Sequence, residues 1–165
     1  SENLKKILLW YEKSKKVSCT APLIYNNNKI IQYSAKKNPT FLSLLLGRLY
    51  FLQRIKIFKK YVFWHTNQNL NYKKDIINSS YLSGCFLITK RKYFETCNGF
   101  SAEYFLHLED ADLVRKLSKY GMTIHNPISE ITHFWARGSH KSISQMISLI
   151  KSYFIYIGKW GFKLW

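Results

Sequence analysis

The chain has 165 residues, which is enough for one domain with a hydrophobic core and too few for two full-sized domains. Hydrophobic residues make up 47% and aromatic residues 17%, so the composition excludes a disordered chain. The net charge of +17 favours polyanionic partners such as nucleic acid, anionic lipid or phosphorylated substrates. The chain is also rich in Asn, Ile, Tyr and Phe, whose codons, like those of Lys, are rich in A and T. A genomic bias explains the charge equally well.

Hydrophobic periodicity predicts an α/β succession of elements in the first half of the chain. We expect a basic helix over residues 3–16, a strand over 17–25 and a turn at Asn26-Asn27-Asn28, followed by a returning strand over 30–33. Pro39 introduces an apolar helix that reaches residue 51. Residues 53–80 are basic and rich in Asn without clean periodicity, which predicts an irregular connection.

The second half begins with a compact apolar strand over residues 82–89, followed by a short helix over 90–96 that Asn98-Gly99 closes. An acidic segment then leads into a helix that stops at Gly121. A brief strand over 122–125 ends at Pro127, and residues 128–133 lead to a loop. A helix rich in Ile, Phe, Tyr and Trp runs from residue 142 to the end.

The cysteines and the chain start indicate the compartment. Cys19, Cys85 and Cys97 are odd in number and form no Cys-x-x-Cys pair, so neither a disulfide framework nor a zinc ribbon is indicated. Residues 1–3 do not resemble a secretory signal, and the apolar residues 41–52 are too few to span a bilayer. We expect a cytoplasmic protein. The first residue is Ser rather than Met, which suggests a fragment or a processed product.

Three of the nine acidic residues cluster at Glu109, Asp110 and Asp112. Acidic side chains at a helix start bind free N–H groups and complement the helix dipole, so Asp110 is a candidate N-cap. Alternatively, one carboxylate is a general base held where a loop enters a helix. Both interpretations can hold together. Asp112 lies about 200° around the helix from Asp110, which favours a structural role for Asp112.

His133 is the histidine with the most suggestive context, since it ends a predicted strand. Near carboxylates it would be a ligand for a divalent ion, and Arg137 would contact phosphate. The alternative is an ordinary, partly exposed loop histidine. The sequence contains no nucleotide-binding glycine motif, no Ser-His-Asp or Cys-His arrangement and no recognised nucleic-acid motif, so we do not favour a nucleic-acid partner.

The order of the remaining motifs resembles the family 2 glycosyltransferases, which have the GT-A fold, and especially the rhamnosyltransferase-type bacterial members that build lipopolysaccharide and other cell-surface polysaccharides. The resemblance covers residue 17 to the C-terminus and is most specific over residues 81–142. The motifs that carry it are Ser83-Gly84-Cys85-Phe86-Leu87-Ile88, Lys90-Arg91, Asn98-Gly99-Phe100, Tyr104-Phe105-Leu106-His107-Leu108-Glu109-Asp110-Ala111-Asp112-Leu113 and Thr132-His133.

The resemblance implies inverting transfer of a sugar, rhamnose by analogy, from a nucleotide-sugar donor to a glycan or polyprenyl-linked acceptor. It implies that Asp110 is the general base, that Glu109 contacts the acceptor and that Ser83 and Gly84 line the donor sugar pocket. His133 would help to bind Mg²⁺ or Mn²⁺ at the donor diphosphate.

The sequence departs from this family in one major respect. No strand-rich nucleotide-binding half and no Asp-x-Asp motif precede Tyr81, so residues 1–142 are expected to be the C-terminal, acceptor-side portion of a GT-A domain, inactive as an isolated chain. Ser101 and Asn98 replace the Asp and Gly that are usual in the family, which predicts a weaker cap and an altered turn.

Residues 143–165 form a predicted aromatic and basic helical tail. It either contacts the inner face of the cytoplasmic membrane as a peripheral helix or packs against the domain. For the whole chain we prefer an enzyme fragment. The alternatives are a non-catalytic basic module that binds membrane or nucleic acid on a truncated scaffold, and an inactive remnant.

Overall fold

A mixed four-stranded sheet with the order β3-β6-β1-β5 forms the centre of the fold. The computed structural model describes residues 2–134 and 143–165. Strand β1 (Val17–Tyr25) pairs in parallel with β6 (Met122–Thr132) and antiparallel with β5 (Ile88–Thr89), and β3 (Ile77–Asn78) pairs antiparallel with β6. Residues 17–24 of β1 are all buried, as expected for a central strand covered on both faces. The predicted α/β class, with a mixed sheet and flanking helices, is confirmed.

Two helices pack directly on this sheet. Helix α5 (Glu109–Leu117) has its apolar residues at helical spacing and shares the main hydrophobic core with β1. The core side chains of the two elements are Leu113, Val114 and Leu117 of α5 and Cys19, Ala21 and Leu23 of β1. Helix α1 (Glu2–Lys13) lies against β6 and buries Ile7 and Tyr11. Helix α4 (Arg91–Thr96) ends where Asn98 and Gly99 adopt positive φ angles of 57° and 53°, as the predicted turn requires.

Two separate stretches of the chain form a further layer of helices, which we call the helical layer (residues 41–65 and 143–165). It contains α2 (Phe41–Arg48), a 3-10 helix (Tyr50–Arg54), α3 (Lys56–His65) and α6 (Ile143–Trp160). Thr40 and Ser43 begin α2 with reciprocal side-chain to backbone hydrogen bonds of 3.1 and 2.9 Å. Backbone hydrogen bonds of 3.0 Å from Phe41 and Leu42 to residues 163 and 164 join the two stretches.

The prediction of an irregular connection over residues 53–80 is wrong. This segment contains α3 and β3, and Tyr72 and Ile77 within it belong to the main core. The basic residues that obscured the helical period lie on the exposed side of α3. Aromatic and Ile side chains are exposed there as well, so the segment lacks the polar face that identifies an ordinary surface helix.

Three strand predictions also need correction. The segment over residues 82–89 is divided into β4 (Tyr81–Leu82) and β5, because the backbone turns at Gly84 to approach α5. Strand β2 lies at Ala35–Lys36 and pairs with β4, whereas the predicted strand over 30–33 makes only a single bridge from Ile31 to Tyr25. Strand β6 continues beyond residue 125 to Thr132, since the pairing shifts register near Pro22 and so accommodates Pro127.

Within residues 2–134 and 143–165, no helix has both the length and the apolar character needed to cross a membrane.

Candidate active site

The carboxylate of Asp110 lies where the first turn of α5 meets the loop after β4. Its Oδ2 accepts hydrogen bonds from the backbone N–H of Gly84 at 2.7 Å and from the hydroxyl of Tyr81 at 3.1 Å. Its Oδ1 accepts from the backbone N–H of Ala111 at 2.8 Å. These donors come from two different elements, so the carboxylate is fixed in one orientation.

Gly84 is required here because of the close approach to Asp110. A Cβ atom added to Gly84 would lie 2.8 Å from Asp110 Cβ and 3.2 Å from Asp110 Oδ2, which is closer than real Cβ contacts allow. A residue with a side chain at position 84 would therefore displace the loop or the carboxylate of Asp110. Ser83, the other residue of that motif, extends the pairing of β4 through its N–H bond to Ser34 O at 2.9 Å.

The N-cap prediction for Asp110 is wrong. Leu108 occupies the N-cap position with a φ angle of 64°, and no side chain caps the helix there. His107 before it also has a positive φ angle, of 70°. Two successive left-handed residues are costly for non-glycine side chains and are characteristic of functional sites. They turn the chain so that Asp110 becomes the second helical residue and its carboxylate faces Gly84 instead of the helix start.

Asp112 lies on the opposite side of the same turn, where the helix packs against the domain. It is fully buried, and it accepts hydrogen bonds from Trp160 Nε1 at 2.8 Å and from Ser101 Oγ at 2.7 Å. Lys116 Nζ lies 3.5 Å from its Oδ2. The prediction that Asp112 is the structural residue of the pair agrees with these contacts. Ser101 donates a hydrogen bond to Asp112, which a carboxylate at position 101 could not do.

A cavity of about 430 Å³ opens beside Glu109 and Asp110. Its polar end is formed by these two carboxylates together with Lys36 and Tyr81. The remaining lining combines apolar side chains with polar ones; the apolar ones are Pro39, Leu44, Val62, Leu106, Leu108 and Leu149, and the polar ones include Ser43, Arg48, Gln53, His65, Thr66 and His107. The cavity therefore suits a substrate that has both polar and apolar parts.

Burial and neighbouring charge raise the pKa values of the acidic and phenolic groups Glu109 and Tyr81 in this cavity. Burial raises the pKa of Glu109, and the charge of Asp110 adds to that effect. Glu109 Oε2 is buried and has no hydrogen-bond partner among residues 2–134 and 143–165, so it is available to a substrate hydroxyl. Burial, helped by Asp110, holds the pKa of Tyr81 well above its ordinary value, so its hydroxyl remains a proton donor to Asp110.

The pKa values of the basic groups of the cavity are lowered instead. Burial lowers the pKa of Lys36, and the negative charge of Asp110 partly offsets this. The ammonium of Lys36 lies 5.4 Å from the centre of the Tyr81 ring. Burial lowers the pKa of His65 to about 4, and the charges of Lys36 and Lys37 contribute to the decrease. His65 is therefore a neutral donor or acceptor at neutral pH.

His133 is separate from this cavity in the described part of the chain. Gln32 Nε2 donates to the backbone carbonyl of His133 at 3.0 Å, so its Oε1 is the acceptor that faces His133 Nδ1 at 3.1 Å. Nδ1 then carries the proton, and Nε2 keeps a lone pair suited to a metal ion. Among residues 2–134 and 143–165, however, no three His, Cys, Asp or Glu side chains converge to hold one. His133 fits as a single ligand, and the described residues do not complete a site.

The structure brings Gly84, Glu109 and Asp110 together, with Ser83 next to Gly84. Arg137 lies outside the described residues. Sequence reasoning missed Tyr81 and Lys36. Both belong to the short β2–β4 pair, in which Lys36 and Tyr81 are direct partners. Two-residue strands leave too little alternation to show which side chains share a face, so no signal in the sequence could have placed them.

Comparisons with known proteins show that the chain is similar to glycosyltransferases. A family model described as the N-terminal domain of galactosyltransferase matches residues 65–139. Two N-acetylglucosaminyl-diphospho-decaprenol L-rhamnosyltransferases, from Mycobacterium tuberculosis strains CDC 1551 / Oshkosh and ATCC 25618 / H37Rv, are each 29% identical over 103 residues, or 58% of this chain and 34% of theirs. The chain thus spans about a third of the length of these curated relatives. No solved structure matches it.

These matches confirm the resemblance of the chain to glycosyltransferases of the rhamnosyltransferase type. The residues matched by the family model include Tyr81, Gly84, Glu109 and Asp110. The two carboxylates and their donors therefore lie inside the region that resembles known transferases, whereas Lys36 and part of the cavity wall lie outside it.

Proposed function

We propose that this chain is the acceptor-side part of an inverting, family 2 type glycosyltransferase with a GT-A fold, in which Asp110 is the general base. The observation that carries the proposal is the carboxylate of Asp110, which Gly84 and Tyr81 orient at the polar end of a cavity. A base must be held within hydrogen-bond reach of the proton that it removes, and this arrangement supplies such a fixed position.

The reaction that follows is a single displacement. Asp110 removes the proton of an acceptor hydroxyl as that oxygen attacks the anomeric carbon of the donor sugar. The bond from the sugar to the nucleotide diphosphate breaks with its electron pair on the leaving phosphate, and the configuration at the anomeric carbon inverts. Glu109, whose buried Oε2 has no partner in the described part of the chain, accepts a hydrogen bond from a second acceptor hydroxyl and so fixes the attacking group.

The substrates are proposed from the relatives and from the cavity. The names of the relatives specify L-rhamnose transfer to N-acetylglucosaminyl-diphospho-decaprenol. We propose a nucleotide-activated sugar as donor, rhamnose in the first instance, and a polyprenyl-diphosphate-linked glycan as acceptor. The apolar side chains of the cavity fit an acceptor whose sugar end is polar and whose carrier is a hydrocarbon. Ser83 and Gly84 are proposed to face the donor sugar, and Arg137 its phosphates.

Mg²⁺ or Mn²⁺ is the proposed cofactor and, when bound, would offset the charge that develops on the leaving diphosphate. His133 is the one described residue proposed to hold it, because Gln32 leaves its Nε2 lone pair free. The other ligands would come from outside the described residues or from the donor diphosphate itself.

The test is a transfer assay on membranes from the native cells, where any other part of the enzyme is present. The donor is labelled nucleotide-rhamnose and the acceptor is N-acetylglucosaminyl-diphospho-polyprenol. We expect Asp110→Asn, introduced in the native gene, to lower transfer about 10²- to 10⁴-fold, the usual contribution of a general base. Glu95→Gln removes a carboxylate that is exposed and far from the cavity, so it controls for the charge change and is expected to leave transfer unchanged.

Unchanged transfer in Asp110→Asn would exclude Asp110 as the base. If membranes that lack the chain transferred rhamnose as well as native membranes, the transferase assignment would be wrong for this donor and acceptor. Transfer of another labelled sugar under the same conditions would keep the reaction and correct the donor.

A non-catalytic basic module is the second candidate function, and the basic, apolar surface of the helical layer favours it. It predicts binding to anionic surfaces that does not depend on Asp110, together with unchanged transfer in Asp110→Asn. A transferase that carries this surface would bind them too, so the transfer measurement on Asp110→Asn is the one that separates the candidates.

A further inference from the structure

Helix α6 carries apolar side chains on two opposite faces. One face packs against the domain through Leu149, Ser152, Tyr156 and Trp160, with Ser152 and Tyr156 fully buried. The opposite face carries Ile143, Ile147, Ile150 and Phe154, spaced by four, three and four residues, with 73, 47, 48 and 65% of each side chain exposed. A surface helix normally places polar residues there. Within the described residues, this stripe is left exposed.

The other stretch of the helical layer exposes a similar surface. Large apolar side chains are exposed along the 3-10 helix and the start of α3, at Tyr50, Phe51, Ile55 and Ile57, with 72, 55, 50 and 69% of each exposed. The backbone bonds from Phe41 and Leu42 to residues 163 and 164, and the contact of the Phe41 and Tyr153 rings at 6.3 Å, place α2 beside α6. Both stretches belong to one continuous layer.

The charge of this layer has one sign. Residues 41–65 and 143–165 contain no Asp or Glu, while their basic residues are Arg48, Arg54, Lys56, Lys59, Lys60, Lys151, Lys159 and Lys163. An A- and T-rich genome does not explain this absence, because Asp and Glu also have A-rich codons and occur elsewhere in the chain. A surface that joins exposed aromatic and Ile side chains to Lys and Arg alone matches the interface of an anionic bilayer.

We propose that the helical layer is a docking surface for an anionic lipid bilayer, with Ile147 and Phe154 of α6 and Tyr50 and Phe51 of the 3-10 helix inserted at the level of the headgroups. Charge argues against a second copy of the chain, since two acid-free basic faces repel each other. Nucleic acid would use the Lys and Arg side chains but would leave the Ile stripe of α6 exposed to water.

Docking by this face has a consequence for the active site, which rests on the proposed function. The wall of the cavity beside Asp110 includes Leu44 and Gly47 of α2 and Leu149 of α6, so the cavity is bounded by the helices that contact the bilayer. A polyprenyl-linked acceptor would reach the polar end of the cavity while its hydrocarbon stays in the membrane. The geometry thus assigns the helical layer to acceptor delivery.

The experiment is a flotation assay of the full 165-residue chain with vesicles of phosphatidylcholine alone or mixed with phosphatidylglycerol. We expect binding to the anionic vesicles and its release by high salt. Ile147→Ser with Phe154→Ser should weaken binding about tenfold or more, since two exposed apolar side chains no longer insert. Lys59→Gln with Lys60→Gln should weaken it about fivefold for each lysine.

Two matched controls use residues outside the layer. Ile30→Ser with Ile76→Ser removes two Ile side chains that are 60 and 56% exposed, and Lys15→Gln with Lys73→Gln removes two exposed charges. Both pairs should bind like the unaltered chain. Since every substitution is at an exposed position, circular dichroism should show unchanged folding in all four variants.

Equal losses in the layer variants and their controls would overturn the proposal, because binding would then follow total charge. The absence of binding to anionic vesicles would also overturn it. So would a dimer in solution that Ile147→Ser with Phe154→Ser dissociates, since the stripe would then be an interface between copies. None of these outcomes depends on sugar transfer, so failure of the docking surface is distinguishable from failure of the transferase assignment.

Discussion

The two sides of the first turn of α5 use the same residue type in different ways. On the cavity side, Asp110 is held by donors from a loop and lies beside a space for substrate. On the packed side, Asp112 is fully buried and bonded to Ser101, Lys116 and Trp160. The difference teaches that an acidic cluster does not act as one unit. The face of the helix determines which carboxylate supports the fold and which remains available for chemistry.

Removing the packed-side carboxylate should give the largest effect. Asp112→Ala leaves the N–H of Trp160 and the hydroxyl of Ser101 without their acceptor. Lys116 loses its ion-pair partner and keeps only its hydrogen bonds to Gly99 O and Ser101 Oγ. We expect the free energy of unfolding to fall by about 3–5 kcal/mol. Chemical denaturation followed by circular dichroism measures this.

The control for this prediction is Glu95→Ala. Glu95 forms an exposed ion pair with Arg91 one helical turn away, so its removal should cost no more than about 0.5 kcal/mol. Similar losses in Glu95→Ala and Asp112→Ala would show that the packed side is not the more constrained one.

The contrast between Asp110 and Asp112 was predictable in part. Their angular separation on a helix follows from sequence alone and correctly predicted a structural role for Asp112. The N-cap assignment of Asp110 failed because the left-handed backbone at His107 and Leu108 cannot be inferred from those residue types.

How well the elements of the fold were predicted also depends on whether local sequence or long-range contacts determine them. Strand β1 was predicted with its observed bounds because its β-branched character ends at the turn signal Asn26-Asn27-Asn28, and both signals are local. Helix α3 was missed because its exposed face carries Ile57 and Trp64 between lysines. If a membrane covers that face, its pattern reflects a partner that is absent from the chain itself, and periodicity within the sequence cannot reveal it.

On the cavity side, His65 should make the free energy of unfolding depend on pH. His65 has a pKa of about 4 in the folded chain, below the value of about 6.5 expected when unfolded. Between these values the unfolded state binds more protons, so stability falls as pH decreases. From about pH 6.5 to about pH 5, His65 should account for a loss of about 1.5 kcal/mol in the free energy of unfolding.

His65→Gln tests this by removing the titrating group while keeping a donor for the carbonyl of Asn38. The other titrating groups are common to both proteins, so the difference between their denaturation curves over this pH range isolates His65. Parallel curves would mean that burial does not shift the pKa of His65. A flatter curve for His65→Gln agrees with a neutral histidine in the wall of the cavity.

The smallest expected change in stability tests the contact that positions the base. In Gly84→Ala the new Cβ would lie 2.8 Å from Asp110 Cβ, so the loop or the carboxylate must move. We expect a loss of about 1 kcal/mol in stability and a drop in transfer of about 10²-fold, because a displaced base no longer meets the acceptor proton.

Gly158→Ala in α6 is the matched control, since nothing lies within 4 Å of its added Cβ. It should stabilise the chain by about 0.5–1 kcal/mol without changing transfer. If Gly84→Ala retained full transfer, the orientation of Asp110 by Gly84 would have no part in catalysis, and the cavity side would differ from the packed side only in its exposure to solvent.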